Sequence, residues 1–397
     1  MNQSYFDVII IGAGASGTVC AWQAAKRKRS VLIIEHCPSA LKKVLISGGG
    51  RCNFTNLSVD SSNYVSQTKN FCKSAISRFK PTDFISLLQE HKIKYEQREH
   101  GQLFCKESAK QICDMLLNLC KKHDVKIQYN CTVNSVTNSN NTQHNFTINT
   151  NKKTYTCTSL VIATGSKSLP EIGATDFALK IAQQLNIHIQ PTAPALVPLT
   201  LHQNDKDKFS TLSGIAVKAI VKSNKQSFMD NLLFTHRGLS GPVILQISNY
   251  WNQGDEISIN FLPQLQLIEL LQKAQKENPK LKVSKLLYPL LPKRLVETLL
   301  EPEILNKAIS EISKKNLMYI QQSFCSHIIK PAGCEGYRTA EATKGGISCT
   351  EVSSKTFQTH KINGLFFIGE SLDVTGWLGG YNLHWAWASG WCAGQQV

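Results

Sequence analysis

The first forty residues alternate between short apolar runs and a segment with helical spacing. Tyr5–Ile11 is an apolar, β-branched run followed by glycine, and residues 30–35 form a second run of this kind. Buried parallel strands have this composition because helices cover both of their faces. Residues 14–28 lie between the two runs and carry small residues followed by helical periodicity. The pattern predicts a β-α-β unit within about 30 residues.

The rest of the chain predicts a mixture of helices and strands. Residues 71–122 have mostly helical periodicity with a loop near 99–104, and residues 125–165 read as a strand meander with an Asn-rich turn. Three prolines in residues 190–199 indicate a boundary, after which strand patterns continue to about residue 262. Helical periodicity follows over 265–323, and a final apolar strand is predicted at 364–370.

Composition places the chain among ordinary globular proteins. Of its 397 residues, 42% are hydrophobic and 18% are charged. No apolar run has the length that crossing a bilayer requires, and residues 7–14 do not resemble a secretion signal, so we expect a cytoplasmic protein without membrane contact. The 13 cysteines include no CxxC pair and no histidine at ligand spacing, which predicts neither a metal centre nor a disulfide framework.

The net charge is strongly positive, at +16. Basic residues occur in bursts, at 26–29, 42–43, 78–80 and 121–122. An excess of this kind favours association with polyanions through phosphate contacts. A solvated lysine-rich surface explains the same charge equally well.

A glycine fingerprint follows the first predicted strand. Gly12, Gly14 and Gly17 have GxGxxG spacing and open the predicted helix, and Glu35 ends the second strand 18 residues later. In such a turn the first glycine permits the tight bend, the second admits a pyrophosphate, and the third allows close packing of helix on strand. A carboxylate at the position of Glu35 accepts hydrogen bonds from ribose hydroxyls and repels a 2′-phosphate. The fingerprint therefore predicts FAD or NAD.

Two later segments favour FAD as the tightly bound cofactor. Residues 160–166, with Thr164 and Gly165, resemble the Ala-Thr-Gly turn of two-dinucleotide-binding flavoproteins, and residues 364–394 resemble their C-terminal flavin segment. On this reading Glu370, after Gly369, accepts the ribityl hydroxyls, and a helix beginning at Gly379, Gly380, Tyr381 and Asn382 steadies negative charge on the reduced flavin. A core helix packed by its tryptophans is the alternative reading of this last segment.

The stretch SGGGRCNFTN, residues 47–56, sets three glycines beside a cation and a thiol. Because the strand and loop after Glu35 run alongside the cofactor in this fold, we expect Gly48, Gly49 and Gly50 to lie against the pyrophosphate and the flavin edge. Arg51 is a candidate to balance phosphate or substrate charge, and Lys43 is a second candidate for that role.

Four segments together carry a family resemblance. KKVLISGGGRCNFTN, THRGLSGP, EATKGGIS and GESLDVTGWLGGYNLHWAWASG resemble the BaiN/RdsA family of FAD-dependent oxidoreductases, and the resemblance spans residues 12–394. It implies an α/β fold with a Rossmann-like FAD-binding domain built from residues 1–190 and 330–397. It also implies a β-rich insert, residues 191–264, a small helical subdomain, residues 265–329, and FAD contacts near Ser16 and Val133.

The resemblance implies reduction of an activated C=C bond, for which two substrates are known in the family. Some members reduce a uridine of ribosomal RNA to dihydrouridine, and others reduce unsaturated steroid acids. The net charge of +16 favours ribosomal RNA, with Trp377 and Tyr381 as candidates for stacking on an unstacked base. Since no second glycine fingerprint is visible, we expect NAD(P)H to visit the flavin only transiently.

The reaction also needs a proton. Cys52 is the candidate donor, or it holds the carbonyl edge of the substrate together with Arg51 and Asn53. The alternative is that Cys52 packs under the flavin and shapes the pocket. An RNA-binding flavoprotein without catalysis and an amine oxidase are further alternatives, and the sequence leaves the oligomeric state open.

Overall fold

A computed structural model describes residues 4–138 and 145–397, and the chain divides into two compact units. One unit comprises Met1–Pro194 and Glu341–Val397, and the other comprises Ala195–Ala340. Each has its own hydrophobic core. The division after Pro194 falls inside the proline-rich segment 190–199. Most of the predicted Asn-rich turn lies in residues 139–144, outside the described residues.

The N-terminal part of the first unit alternates strands and helices. Its strands are β1 (Tyr5–Ile11), β2 (Val31–Ile34), β3 (Asn53–Asn56), β4 (Tyr64–Val65), β5 (Tyr95–Gln97), β6 (Gln102–Cys105), β7 (Lys126–Gln128), β8 (Val133–Asn138), β9 (Phe146–Thr150), β10 (Thr154–Ile162) and β11 (Ile189–Ala195). Its α-helices are α1 (Ala15–Lys26), α2 (Lys42–Gly50), α3 (Lys73–Arg78), α4 (Pro81–Glu90), α5 (Ala109–Lys122) and α6 (Phe177–Gln184). The predicted β-α-β unit is β1, α1 and β2.

The second unit joins strands and helices around one core. Its strands are β12 (Leu199–Thr200), β13 (Ala216–Ser223), β14 (Gln226–Phe234), β15 (Gly238–Ser240), β16 (Ile257–Asn260), β17 (His327–Ile329) and β18 (Gly333–Cys334). Its helices are α7 (Gln203–Phe209), α8 (Pro242–Ser248), α9 (Leu267–Glu277), α10 (Val283–Leu287), α11 (Lys293–Leu299), α12 (Pro302–Asn306) and α13 (Lys314–Cys325). The sheet has the order β17-β16-β13-β14-β15-β12-β18.

Residues 191–264 and 265–329 were expected to form separate portions. Side chains from both ranges, such as Phe234 and Phe324, share one hydrophobic core in the structure. The helices bury their apolar faces against the sheet, because each apolar face must be covered by the apolar surface of another element.

The C-terminal part returns to the first unit. It contributes β19 (Ala342–Ile347), β20 (Leu365–Phe367), β21 (Thr375–Gly376) and α14 (Tyr381–Gly394). β20 pairs in parallel with β10, and Leu365 lies opposite Leu160. The main sheet therefore has the order β7-β2-β1-β10-β9-β8, with β20 also on β10. This arrangement confirms the prediction that both ends of the chain build one Rossmann-like domain.

Helix α14 packs directly on α1. A Cβ atom added to Gly390 would lie 2.4 Å from the backbone oxygen of Ser16, so the two helices approach as closely as glycine allows. Arg27, just after α1, donates to the backbone oxygens of Gly394 and Val397. Hydrogen bonds from Arg27 thus join Gly394 and Val397 to the end of α1, the helix that follows the glycine fingerprint.

Two local predictions were wrong. The expected loop at residues 99–104 includes β6, which pairs with β3 and β5 in a three-stranded sheet. The glycine strip, expected in a strand and loop, lies at the end of α2, where Ser47, Gly48 and Gly49 leave helical backbone angles. Both segments are too short for periodicity to identify, and their conformation depends on partners distant in sequence. In the part of the chain that the structure describes, no helix is both long and apolar enough to cross a membrane.

Candidate active site

The glycine fingerprint forms a tight turn between β1 and α1. Gly12 has a φ of +107°, and a Cβ atom there would lie 2.6 Å from the backbone oxygen of Ala163. A Cβ at Gly14 would meet no described atom within 4 Å, whereas one at Gly17 would lie 2.0 Å from the oxygen of Gly12. The turn therefore needs glycine at its first and third positions and leaves open space at the second. The N-terminus of α1, with its partial positive charge, faces this turn.

Glu35 is held at the end of β2 by backbone amides. Its carboxylate oxygens accept from the amides of Ala13 and Cys37, each at 2.8 Å. Burial raises the pKa of Glu35, but hydrogen bonds from His36 and from those two amides outweigh burial and leave the pKa below its ordinary value. Because Oε1 also lies 3.2 Å from Nδ1 of His36, it is Oε2 that keeps a second lone pair for a ribose hydroxyl.

Val133 lies near the same end of the site. The amide of Cys131, two residues earlier, donates to the backbone oxygen of Glu35 at 2.9 Å. Val133 begins β8, is partly buried, and packs against the core of the first unit. The segment that leads into β8, predicted to contact adenosine, is thus hydrogen-bonded to the backbone of Glu35, the predicted ribose acceptor.

One group of described side chains has the composition of a metal site. Ligand atoms of Glu35, His36 and Cys37 lie within 4.8 Å of one another. The ammonium of Lys42 lies 3.7 Å from the sulfur of Cys37 and adds a positive charge that disfavours a cation. His36 directly precedes Cys37, a spacing that differs from the CxxC and histidine patterns typical of zinc sites. Since Glu35 is the predicted ribose acceptor, this group belongs to the candidate cofactor site.

The Ala-Thr-Gly turn brings two unpaired hydroxyls to the site. Thr164 Oγ1 and Ser166 Oγ are buried and have no hydrogen-bond partner among the described residues. Gly165, between them, has a φ of +68°, and a Cβ atom there would lie 4.0 Å from Oε2 of Glu370. Because buried hydroxyls are normally hydrogen-bonded, this pair indicates a polar group that the protein itself does not provide.

Glu370 is fixed by two partners. Its Oε2 accepts from the ammonium of Lys43 at 2.6 Å, and its Oε1 accepts from the amide of Thr343 at 2.9 Å. Lys43 lies in α2 and Glu370 follows β20, so the ion pair joins segments 327 residues apart. Gly369, with a φ of +66°, lies against Ser16, since a Cβ atom there would be 2.6 Å from the Ser16 hydroxyl. Ser16, Lys43, Gly369 and Glu370 are therefore neighbours.

The glycine strip is a left-handed turn. Gly48, Gly49 and Gly50 have φ values of +56°, +66° and +81°, a conformation that other residues rarely adopt. A Cβ atom at Gly48 would lie 2.7 Å from the amide nitrogen of Asn53, whereas at Gly49 and Gly50 no described atom lies within 4 Å. Gly49 and Gly50 are therefore required by their positive φ values and not by crowding, and the space beside their Cα atoms is open.

Arg51 and Cys52 follow the strip in opposite environments. Arg51 is exposed, and its guanidinium lies 3.5 Å from Glu96, which also pairs with Arg98 at 2.7 Å. Cys52 is completely buried, and burial raises the pKa of its thiol to about 12. A buried thiol with so high a pKa is a poor proton donor at neutral pH. The environment therefore favours packing over catalysis for Cys52.

Asn53 connects β3 to the start of α14. With its side-chain oxygen toward α14, it accepts from the amide of Gly380 at 3.2 Å and donates to the backbone oxygen of Leu103 at 3.1 Å. Gly379 and Gly380 have φ values of +113° and +95°. A Cβ atom at Gly379 would lie 3.2 Å from the side chain of Gln102. The structure thus brings Asn53 to the two glycines, with Gln102 beside them.

Tyr381 and Asn382 are occupied by contacts within the protein. Tyr381 is buried and packs edge-on against Tyr64 and Trp377. Asn382 accepts from the amide of Gly376 at 2.8 Å and donates to its oxygen at 3.0 Å, which closes the loop before α14. Since Tyr381 has little exposed surface, its proposed role of stacking on a base at the pocket mouth does not fit this position.

Sequence reasoning missed His384, a residue that fixes α14. It is fully buried, with Nδ1 2.8 Å from Thr55 Oγ1 and Nε2 3.0 Å from the oxygen of Phe79. Burial lowers its pKa to about 4, so the ring is neutral and Nε2 donates to Phe79. Its only sequence signal is a single histidine in a helix of mostly apolar residues. Gln102, also missed, lay in the segment interpreted as a loop.

Taken together, the residues fit an extended dinucleotide. Glu35 and Val133 suit the adenosine end, Gly14 and the start of α1 suit a pyrophosphate, and Thr164 and Ser166 supply hydroxyls that lack partners. Glu370 lies beside Gly165 of the same turn and is held by Lys43. Each of these groups thus matches the chemistry of one part of FAD.

Comparison with known proteins identifies close relatives. The family model described as HI0933-like protein Rossmann domain matches residues 6–396. The chain is 44% identical to "Ribosomal RNA dihydrouridine synthase" of Escherichia coli (strain K12), over 99% of this chain and 98% of that protein. It is also 44% identical to the protein of the same name from Haemophilus influenzae, over 98% of each. It is 27% identical to "3-dehydro-bile acid delta(4,6)-reductase" of Clostridium scindens, over 97% of each.

Proposed function

The chain belongs to the HI0933-like Rossmann family and is a flavin-dependent oxidoreductase, and on this premise we propose that it is a ribosomal RNA dihydrouridine synthase that uses FAD and NAD(P)H in the cytoplasm. The observation that carries the proposal is 44% identity over nearly the whole chain to two proteins named for that activity. The net charge of +16 supports it, because a polyanionic substrate makes use of many cations.

The chemistry follows from the electronic structure of uracil. The C5=C6 bond is conjugated to the C4 carbonyl, so C6 accepts a hydride and C5 accepts a proton as the double bond is lost. Reduced FAD, when bound, supplies the hydride, and NAD(P)H replaces the two electrons afterwards.

The residues of this chain hold and orient the reactants. We assign the cofactor to Gly12, Gly14, Ser16, Gly17, Glu35, Lys43, Val133, Thr164, Gly165, Gly369 and Glu370, together with the strip Gly48–Gly50 and the start of α14. Arg51 is exposed beside that strip. Its guanidinium binds a substrate carbonyl or phosphate by exchanging its ion pair with Glu96 for the substrate. Asn53 keeps the glycines before α14 in place.

A second candidate substrate is a small unsaturated carbonyl compound of the steroid type. Identity of 27% over 97% of the chain to a bile-acid reductase favours it. Both substrates require a hydride at one carbon of an activated C=C bond and a proton at its neighbour, so the candidate site serves either. They differ in charge, since a steroid acid matches one or two cations.

The proposal is tested with the purified, FAD-loaded protein. We expect protein-free large-subunit ribosomal RNA and NADPH or NADH to give dihydrouridine, measured by mass spectrometry of nucleosides, and no reduction of a 3-oxo-4-ene steroid acid. Comparison of ribosomal RNA from cells with and without the gene provides the matching measurement in vivo. Reduction of the steroid without any dihydrouridine would establish the second candidate. Flavin that NAD(P)H never bleaches would contradict both.

A further inference from the structure

One face of the second unit's sheet is at least partly exposed along four of its strands, β13, β14, β16 and β17. On β13 the residues alternate, with Val217, Ala219 and Val221 in the core and Lys218 and Lys222 exposed. Neighbouring strands continue the open side, with Met229 at 43% and Ile328 at 49% exposure. We define the open sheet face by six residues: Lys218, Ile220, Lys222, Met229, Ser258 and Ile328.

The strand register sets apolar and basic side chains next to one another. Ile220 lies opposite Met229, and Lys222 lies opposite both Ser227 and Ser258. Ser258 in turn lies opposite Ile328. Side chains opposite each other on one face of a sheet are about 5 Å apart, so the six residues form one continuous surface.

The open sheet face is basic. Within the strands that form it, the described residues include no carboxylate on this side, because Asp230 alternates to the other face. Glu256, exposed just before β16 and two residues from Ser258, places one carboxylate at the edge of the face. Neither Lys218 nor Lys222 forms an ion pair with any residue that the structure describes. Lys225, in the turn after β13, adds a further exposed charge. This face therefore offers a ligand two lysines without an ion-pair partner beside exposed apolar groups.

We propose that the open sheet face binds the RNA substrate, with Lys218 and Lys222 on phosphates and Ile220, Met229 and Ile328 against bases or riboses. The inference rests on the proposed function and adds a docking surface to it. Lys218 and Lys222 are four residues apart on one strand, about 13 Å, so they contact different phosphates. RNA meets the charge of this face with phosphates and its apolar groups with the flat faces of bases.

A protein partner fits the face less well. Charged residues are depleted at the centre of protein interfaces, and lysine is among the residues found there least often. Lys218 and Lys222 flank the apolar pair Ile220 and Met229, so a protein covering that pair would have to supply two carboxylates at matching positions. RNA carries a phosphate at every residue and has no such requirement.

The test uses the full-length, FAD-loaded protein and compares three double variants with the unaltered chain. K218A/K222A removes the two charges, and M229A/I328A removes exposed apolar groups. K276A/K285A is the control, because it removes two exposed lysines of α9 and α10 in the same unit. Binding of protein-free large-subunit ribosomal RNA is measured by filter retention at several KCl concentrations, and melting temperature checks the fold of each variant.

The slope of log K against log [KCl] is negative, and we expect K218A/K222A to make it less steep by about 2, since each lost phosphate contact removes about one unit of slope. Binding at 0.15 M KCl should weaken by roughly tenfold or more. M229A/I328A weakens binding without changing the slope, and K276A/K285A changes neither. If K218A/K222A matches the control, the proposed surface is wrong.

Dihydrouridine formation by the unaltered protein separates this proposal from the proposed function. The reaction can succeed while K218A/K222A binds RNA as the control does, which overturns only the surface. If the protein forms no dihydrouridine, the proposed function fails, and the salt slopes still decide whether this face binds RNA. A variant that melts early is replaced by K218Q/K222Q, which removes the charges and leaves a longer, polar side chain than alanine.

Discussion

Burial raises the pKa of both Glu35 and Cys52, but the two groups end in different charge states. Glu35 is buried, but hydrogen bonds from His36, Cys37 and Ala13 keep the pKa of its carboxyl low, so it is an anion at neutral pH. Cys52 has no comparable compensation, and burial keeps its thiol neutral. A buried anion with free lone pairs is suited to bind hydroxyls, whereas a buried neutral thiol is suited to fill space.

For Cys52 we predict that alanine costs stability and leaves catalysis intact. Cys52→Ala removes a buried sulfur and is expected to lower the free energy of unfolding by about 1–2 kcal/mol. FAD content and the rate of dihydrouridine formation should stay within about twofold, because the thiol donates no proton. Urea unfolding measures the change in stability, and a turnover assay at saturating RNA measures the rate. A variant that folds and binds FAD but has lost turnover would restore the catalytic role.

For Glu35 we predict a loss of cofactor affinity. Glu35→Gln keeps the length of the side chain but removes the charge, and hydrogen bonds to charged groups are worth about 1.5–3 kcal/mol, so the dissociation constant of FAD should rise roughly tenfold to a hundredfold. Titration of the apoprotein with FAD, followed by quenching of flavin fluorescence, measures it. Glu90→Gln, at the exposed end of α4, is the control, because it removes a carboxylate outside the candidate site. Equal FAD affinity in both variants would contradict the assignment of Glu35 to the ribose.

At the scale of elements, α14 joins the N-terminal and C-terminal parts of the site. Its first turn lies on β3 through Asn53 and Gly380, His384 binds Thr55, and its second half lies on α1. The glycines where α14 crosses α1 allow the two helix axes to come closer than larger residues would permit. The position of α14 therefore depends on glycine in the middle of a helix, where glycine is otherwise unfavourable.

Gly390→Ala tests this contact. Its methyl group would lie 2.4 Å from the backbone oxygen of Ser16, which cannot be relieved by a rotamer change. We expect a loss of about 1–3 kcal/mol in the free energy of unfolding and weaker FAD binding, because α1 and α14 must separate. Ala386→Ser, on the partly exposed side of α14, is the matched control. Thermal melting of apoprotein and holoprotein would show the effect, and unchanged melting would exclude a tight crossing.

At the scale of the whole molecule, the two units differ in how the chain builds them. The second unit is one continuous segment with its own core, whereas the first needs both ends of the chain. In the first unit, β10 has β1 on one side and β20 on the other, so its core is complete only when residues 341–397 are present.

We predict that residues 195–340 fold alone and that residues 1–194 do not. A continuous segment with a buried core has what independent folding requires. The fragment 1–194 lacks β20 and α14 and should expose apolar surface, aggregate and bind no FAD. Near-UV circular dichroism and urea unfolding of both fragments make the comparison. Cooperative unfolding of 1–194 alone would show that the C-terminal segment is dispensable.

Local patterns were sufficient for β1, α1 and β2, because strand and helix periodicities over ten residues leave few alternatives. They were insufficient for β6 and for the glycine strip. β6 is only four residues long, too short to show a period, and its strand character depends on pairing with β3 and β5. The glycine strip lies at the end of a short helix, where periodicity is equally brief. In the candidate site, spacing identified Gly12, Gly14, Gly17 and Glu35, since these residues satisfy one turn. His384 and Gln102 have no such local signal.

The sequence by itself determined the fold class, the glycine turn and the family, because each depends on residues close together in the chain or on motifs in a fixed order. Tertiary structure alone decided that Cys52 is buried, that Lys43 pairs with Glu370 across 327 residues, and that Lys218 and Lys222 share an open face with Met229 and Ile328. Burial and long-range pairing depend on what the rest of the chain places around a residue. A local pattern contains no record of those neighbours.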